Sequence, residues 1–354
     1  MKILVITDLY PIIEDEIYTP KTIYNFVLEW QKQGHEVKVI KPNFILNSFI
    51  RKKPYYKSGM YGNVENINYW FPFLGNIKNK IKTDFEPDII ISHMPSGLIF
   101  ARKFINNFKK NIKFCAAVHN SDIEVLTNPI YGIYFKSELE KAYKSADCIA
   151  CRSYVLKNKF LNLYPQYEDK TFAAPSGIDD EYIIKRKWEQ KEKIKVLTCG
   201  RFIKNKNIDK VIKTCDEIDG IELTVIGSGK EDKILRKLSD KPIFTGQISH
   251  EKVLEKMRES DIFVLPSVKE TFGMVYLEAM ASGCITVCTK NDGIDGIIKD
   301  SENGFLTNPE ELKETLIRII NLNDKNAILD KAAETANHYT KSQTAENYLK
   351  NIFR

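Results

Sequence analysis

Short blocks of consecutive apolar residues, each followed by a helix-length amphipathic stretch, recur along this chain, and no other feature restricts its fold as much. In the first half the blocks are Lys2–Thr7, Glu36–Ile40, Asp88–Ser92, Lys113–Val118, Cys148–Cys151 and Thr171–Ala174, with stretches such as Lys21–Gln33 and Pro95–Phe108 between them. Parallel strands are buried on both faces, so they read as unbroken apolar runs. The series halts at residues 181–193, which are charged and carry no strand pattern. It resumes with Lys195–Cys199, Glu222–Ile226, Ile243–Thr245, Asp261–Leu265 and Ile285–Val287, and a last amphipathic stretch, Ser342–Phe353, reads as a helix. This alternation predicts an α/β chain built on doubly wound sheets with right-handed crossovers. At 354 residues the chain is long for one core. The expected division is a domain over 1–180, a linker over 181–193, a second domain over 194–338 and a C-terminal helix over 339–354. Ligands of such sheets bind at the C-terminal ends of the strands, so the loops there should carry the chemistry.

Composition narrows the function classes. Apolar residues make up 43% and charged residues 28%, as in an ordinary soluble globular protein. A net charge of +6 suits anionic ligands or a membrane surface and is too weak to point to nucleic acid. The first apolar run is cut short at Asp8 and reads as a strand rather than a signal peptide. No stretch approaches the roughly 18–20 apolar residues of a membrane span. Seven scattered cysteines suit a reducing cytosol, the expected location. Cys148 and Cys151 have Cys-x-x-Cys spacing, but residues three apart on a strand face opposite sides, so no metal or redox pair is expected. Residues 44–82 interleave rings such as Tyr55, Tyr56, Tyr61, Tyr69 and Trp70 with Arg51, Lys52, Lys53 and Lys57. Rings suit the headgroup level and cations suit anionic lipid, so this segment is expected to touch the inner face of the cell membrane.

The densest chemical signal is a pair of glutamates, Glu270 and Glu278, separated by seven residues in the run from Pro266-Ser267 to Ala281-Ser282-Gly283. A strand feeds this loop, a helix opens near Phe272 or Gly273, and Gly283 stops it. The two carboxylates bracket a helix N-terminus, where free N–H groups and the macrodipole favour an anion. Such a place suits a phosphate with hydroxyl-rich groups on either side. Cys199-Gly200-Arg201-Phe202-Ile203-Lys204-Asn205-Lys206 also follows a strand. Arg201 offers a fork for phosphate oxygens and Lys206 a point charge, whereas Lys204 reads as solvated. Val225-Ile226-Gly227-Ser228-Gly229-Lys230 suggests a dinucleotide or P-loop site at first sight. Asp232 stands where the third glycine of a dinucleotide fingerprint belongs, and Glu231 where a P-loop needs Ser or Thr. His119 and His93 each sit at a strand's C-terminal end, Asp122 follows on the loop after His119, and His35 reads as a surface turn residue.

These motifs resemble those of the family 4 retaining glycosyltransferases of the GT-B fold, over nearly the whole chain and most closely in its second half. The block Glu270-Thr271-Phe272-Gly273 through Leu277-Glu278-Ala279-Met280-Ala281-Ser282-Gly283 is similar to the family's two-glutamate motif, and Gly200-Arg201 with Lys206 to its diphosphate grip. The resemblance implies two facing Rossmann-like domains, the first for the acceptor and the second for a nucleotide-sugar donor, with the C-terminal helix returning to the first. It implies transfer of a hexose from a nucleotide diphosphate sugar, UDP-linked by preference, to a sugar or lipid-linked glycan, in cell-surface polysaccharide synthesis. No cofactor, metal or nucleic-acid partner is implied; the nucleotide sugar is a co-substrate.

By position, the resemblance assigns Glu270 to the donor sugar's hydroxyls and Glu278 to the ribose. It assigns Arg201 and Lys206 to the diphosphate, and the backbone of Phe272, Gly273, Met274 and Val275 to sugar and phosphate. Gly200 and Gly227 border the donor pocket, Gln247 and Ile248 lie beside the base, and His119 lies near the reacting sugar. Tyr18, His93, His119 and Asp122 are the acceptor-side candidates. The turn Pro175-Ser176-Gly177-Ile178-Asp179 is similar to the family's Pro-Asn-Gly-Ile-Asp hinge. One departure lies in the first loop, where Ile17-Tyr18 occupies the place of a Gly-Gly pair. Side chains there crowd a close backbone approach. Glu14-Asp15-Glu16 in the same loop reads as a solvated acidic stretch rather than a metal site. Two other readings stay open: a nucleotide-sugar epimerase on the same plan, which needs no acceptor, and a nucleotide-sugar-binding protein without activity.

Overall fold

The computed structural model describes residues 1–12, 19–44, 56–69 and 85–354. The candidate Tyr18 and the acidic triplet Glu14-Asp15-Glu16 lie outside these residues, as does most of the aromatic and basic segment. The chain divides into two compact units. One comprises Met1–Arg152, Leu156–Ala174 and Ala345–Arg354, the other Ser153–Val155 and Pro175–Thr344.

In the first unit the strands are β1 (Lys2–Thr7), β2 (Glu36–Phe44), β3 (Gly59–Tyr61), β4 (Val64–Tyr69), β5 (Ile89–His93), β6 (Lys113–Val118), β7 (Cys148–Cys151) and β8 (Thr171–Ala173). They form one sheet in the order β3-β4-β2-β1-β5-β6-β7-β8, in which β3 alone runs antiparallel, against β4. The hairpin of β3 and β4 was not legible as strands. Its residues, such as Val64, Asn66 and Ile67, mix polar and apolar positions and so form no unbroken apolar run, although all three are buried. Of the segment expected at the membrane, this hairpin is the part described, and it is bound into the sheet through β2 and β4.

The sheet is covered on both faces. Leu4, Ile6, Ile90, Phe114 and Phe160 pack on one side, and Ile3, Val5, Val27, Trp30 and Ile91 on the other. Helix α1 (Thr22–Lys32) lays Phe26, Val27 and Trp30 on the second face because these positions fall on one side of a 3.6-residue turn. The C-terminal helix, here α12 (Lys341–Ile352), adds Ala345, Tyr348, Leu349 and Ile352 to that face. Tyr348 is 1% exposed, with ring centroids 5.4 Å from Phe26, 5.5 Å from Trp30 and 5.8 Å from Phe172. The Trp30 indole N–H donates to the Ala345 carbonyl at 3.0 Å, which satisfies a buried donor and fixes the register of the helix.

In the second unit the strands are β9 (Ile194–Cys199), β10 (Ile221–Ile226), β11 (Ile243–Gly246), β12 (Ile262–Leu265), β13 (Ile285–Thr289) and β14 (Phe305–Thr307). All pair in parallel, in the order β11-β10-β9-β12-β13-β14. In terms of this unit's own strands the order is 3-2-1-4-5-6, the doubly wound arrangement, and the winding reverses between β9 and β12. A crevice for ligands opens beyond the strand ends at that reversal. Residues 181–193, expected as a linker, are laid against this unit. Arg186 and Lys191 both pair with Asp261, at 2.7 and 2.9 Å, and the Trp188 N–H donates to the Asn326 side chain at 2.8 Å. Two of the segment's charges, those of Arg186 and Lys191, are counter-ions for Asp261, which is almost fully buried. Among the described residues no helix is long and apolar enough to cross a membrane.

Tyr348→Ala should lower the unfolding free energy by about 3–5 kcal/mol, the usual cost of truncating a fully buried aromatic ring. Urea unfolding followed by tryptophan fluorescence measures it; a loss below about 1 kcal/mol would mean that the C-terminal helix is not part of this core.

Candidate functional site

The loop after β9 and the loop after β10 run side by side. The Gly200 N–H donates to the Ile226 carbonyl at 3.0 Å, and the Phe202 N–H to the Ser228 carbonyl at 2.9 Å. Gly227 has φ +136°, and a Cβ there would lie 1.9 Å from the Gly200 carbonyl oxygen. Glycine at 227 is therefore explained by backbone meeting backbone, with no need of a phosphate cradle. The Gly227 N–H in turn donates to the Gly246 carbonyl at 3.0 Å, so the turn after β11 is tied to the same edge. Exposed Gln247 and half-buried Ile248 follow that turn, with Gln247 Oε1 3.5 Å from the Ser228 hydroxyl.

The loops after β9 and β12 are woven together across the winding reversal. The Val268 N–H donates to the Asn205 carbonyl at 2.8 Å, and the Asn205 side-chain amide returns a bond to the Val268 carbonyl at 3.2 Å. The Asn207 side chain donates to the Pro266 carbonyl at 2.7 Å. This weave brings Lys206 against Glu270, whose Oε1 accepts from the Lys206 ammonium and, at 2.7 Å, from the Ser267 hydroxyl. Arg201 is exposed, and its side chain makes no hydrogen bond or ion pair with other described residues.

Asp292 was passed over in the sequence. Its carboxylate accepts the Glu270 N–H at 2.7 Å and the Lys269 N–H on the other oxygen, so it holds the backbone of the loop that carries Glu270. Lys269 sits at φ +65°, a left-handed conformation costly for a residue with a Cβ, and this double bond to Asp292 holds it there. Asp292 follows β13 and thus also stands at a strand's C-terminal end. The strand-end rule applied to that loop could have found it.

Gly273, at φ +88°, starts helix α9 (Met274–Ala281). The first N–H groups of a helix have no partner within its own ladder. Phe272 points into the core at 5% exposure, so its side chain is not a ligand group; Met274 and Val275 are half-buried. Glu278 lies one turn on from Met274. Its Oε1 is 3.1 Å from Nε2 of His250, the first residue of helix α8 (His250–Glu259). Cys199, closing β9, links the two ends of the site. Burial pushes its thiol up to about 12, with Glu278 raising it further and Lys206 opposing, so both charges lie within reach of the end of β9.

The first unit holds His93 and His119, the two candidate histidines. His119 ends β6 and caps helix α3 (Asn120–Thr127), its ring accepting the Asp122 N–H while its own N–H donates to Asp122 Oδ2 at 2.8 Å. Tyr143 donates to the other oxygen of Asp122 at 3.0 Å. Asp122 is fully buried with both oxygens engaged, and burial pushes its carboxyl up to about 7. The expectation that Asp122 contacts an acceptor is therefore corrected: it is the helix cap, with no surface for a ligand to reach. His93 is corrected in the same way. It is fully buried, with its Nδ1 3.1 Å from His119 Nε2. Burial, helped by the Arg152 guanidinium, takes His119 down to about 3, and burial, His119 and Arg152 hold His93 well below the ordinary histidine range. Both rings are neutral at pH 7. His119 is 7% exposed and both its ring nitrogens are engaged.

Two family models match the chain: Glycosyltransferase Family 4 over residues 20–182, and Glycosyl transferases group 1 over residues 179–336. An uncharacterized glycosyltransferase of Methanocaldococcus jannaschii is 30% identical over 244 residues, which make up 66% of this chain and 66% of that protein. Among solved structures, the lipopolysaccharide outer core galactosyltransferase WaaB in its apo form aligns with a TM-score of 0.73 at 16% identity, over 100% of this chain and 99% of that one. The Anabaena protein HepE in complex with UDP aligns with a TM-score of 0.72, also at 16% identity, over 100% of both chains. At that identity the two structures speak for the fold, and the family models, between them reaching from residue 20 to residue 336, speak for descent. The chain belongs to the family 4 glycosyltransferases, the glycosyl transferases of group 1, and has the GT-B fold.

Proposed function

We propose that this enzyme moves a hexose from a UDP-sugar to a sugar or lipid-linked glycan, with the anomeric configuration retained and without a metal ion. The observation that carries the proposal is the set of charges on the loops and helix that follow β9 and β12: the exposed Arg201, the Lys206–Glu270 pair, and Glu278, whose charge, like that of Lys206, is felt by the Cys199 thiol at the end of β9. A departing nucleoside diphosphate gains negative charge as the sugar bond breaks. Fixed cations aimed at it stabilise the transition state more than the ground state, and they supply the counter-charge that a metal would. Arg201 and Lys206 take that role. Glu270 receives the donor sugar's hydroxyls, the N–H groups from Phe272 to Val275 meet sugar and phosphate, and Glu278 receives the ribose diol. Gly200 and Gly227 keep the floor of the site free of side chains, and Gln247 and Ile248 border the base. His119 lies on the acceptor side, near the reacting sugar.

Support for uridine comes from HepE, a protein of the same fold that holds UDP. Support for a cell-surface glycan comes from WaaB, which acts on the lipopolysaccharide outer core. A lipid-linked acceptor fits an enzyme working at the cytoplasmic face of a membrane, with residues 44–82 as the contact.

The Lys206–Glu270 pair has to open for this chemistry. Lys206 cannot give its full charge to a phosphate while it neutralises Glu270, and Glu270 Oε1 is not free for a sugar hydroxyl while it holds Lys206. Donor binding exchanges one ion pair for two separate contacts.

Three outcomes are expected. In a thermal-shift panel of UDP-, GDP-, ADP- and CDP-hexoses, one UDP-sugar should stabilise most, by about 2.7 kcal/mol at a hundred times its Kd; stabilisation by another base alone overturns the assignment of uridine. Arg201→Ala should lower the transfer rate roughly 10²–10³-fold, the usual effect of losing one transition-state donor; a folded variant that loses less than tenfold counts against the site. Glu270→Gln should bind UDP as tightly as the wild type or more so, because Lys206 is released, while transfer falls at least about tenfold. Calorimetry and a sugar-transfer assay separate the two effects, and weaker UDP binding would contradict the exchange.

A further inference from the structure

Glu278 has a partner that the sequence did not suggest. His250 Nε2 stands 3.1 Å from Glu278 Oε1, and Oε2 meets no donor from the other described residues. An ionised carboxylate only accepts, so Nε2 carries the hydrogen. The ring of His250 is itself held. Tyr182 packs edge-on against it with centroids 5.7 Å apart and planes 63° apart. Burial, with Asp179 close by, holds the Tyr182 phenol well above its usual range, and Lys341 pairs with Asp179 at 2.6 Å. The charged and titratable groups facing His250 are thus Glu278, Glu251, Asp179 and Tyr182, and the first three favour its proton, with Glu278 foremost.

The bond matters because of what the carboxylate would have to do. Glu278 is mostly buried, with 15% of its side chain exposed, yet a carboxylate turns easily about its last torsion. A vicinal diol asks for two acceptor sites in one fixed plane, and each carboxylate oxygen has two lone-pair sites. A donor fixed on Oε1 removes one of the four and selects the plane of the rest. We propose that His250 is a positioning residue: its Nε2–H holds Oε1 of Glu278 so that Oε2, with the second lone pair of Oε1, meets the ribose diol of the nucleotide. The proposal rests on the reading that Glu278 receives the ribose, and it adds the residue that sets the preference for ribose over deoxyribose.

The test uses whichever of UDP, GDP, ADP and CDP stabilises the full-length enzyme most, together with its 2′-deoxy analogue. Calorimetry gives both affinities for wild type, His250→Ala, His250→Gln and Glu278→Gln. His250→Ala should weaken the ribonucleotide about tenfold, the effect of losing one charge-assisted hydrogen bond, and leave the deoxynucleotide within twofold. His250→Gln should restore most of the loss, because the glutamine amide nitrogen reaches about where Nε2 stands. In the transfer assay the donor KM should rise in His250→Ala while kcat stays within about threefold. An equal loss for both nucleotides, or no loss, overturns the proposal and leaves Glu278 as the ribose ligand if Glu278→Gln alone removes the preference. If Glu278→Gln keeps the preference for ribose, the reading of Glu278 itself fails, and this inference falls with it.

Discussion

The site of the second unit depends on two loops from distant parts of the chain being tied to each other. The loop after β9 and the loop after β12 exchange bonds between Asn205 and Val268 and between Asn207 and Pro266. Parallel strands on either side of the winding reversal would otherwise leave their loops independent. Backbone bonds of this kind cost little to keep once formed, because each buried donor and acceptor needs a partner anyway. They bring Lys206 to Glu270 and leave Arg201 facing outward. Asp292 adds a third strand end to the weave by fixing the backbone of Lys269 and Glu270. The charges of Lys206 and Glu270 are thus placed by uncharged scaffolding and by one carboxylate that holds backbone N–H groups.

The strands β1, β6 and β7 fall where unbroken apolar runs place them, because a strand buried on both faces has little choice of residue. The same rule misses β3, β4 and β14, which are short or near a sheet edge and so carry a mixed pattern. Motif positions such as Gly200, Arg201, Lys206, Glu270 and Glu278 are legible because they follow strands. What sequence spacing cannot give is which side chains meet. Asp122 looks like an exposed loop acid, yet it turns back to cap its own helix. Arg186 and Lys191 lie in the expected linker, yet they serve a buried aspartate 70 or more positions away. His250 looks like any first residue of a surface helix until the fold sets it against Glu278.

Polar groups at the strand ends of the first unit follow a different economy. His93 and His119 are neutral, mutually bonded and deep in the fold, close to the Arg152 guanidinium, which donates to the Ala174 carbonyl at 2.5 Å. A cation near two histidines keeps both from taking a proton. They are therefore suited to holding shape at the end of β5 and β6 rather than to moving protons.

The last helix has a bearing on how the chain is made. Residues Ala345, Tyr348, Leu349 and Ile352 complete a core whose other members, such as Ile3, Val5, Phe26 and Trp30, are near the start. On the ribosome those early residues emerge first and wait for nearly the entire chain before their last partners arrive. Pro175–Thr344, by contrast, forms a nearly continuous unit that has all but a three-residue contribution within itself. Synthesis order and completion order are thus reversed: the half translated first closes last, and until it does the indole of Trp30 and the rings beside it stay open to water and to chaperones.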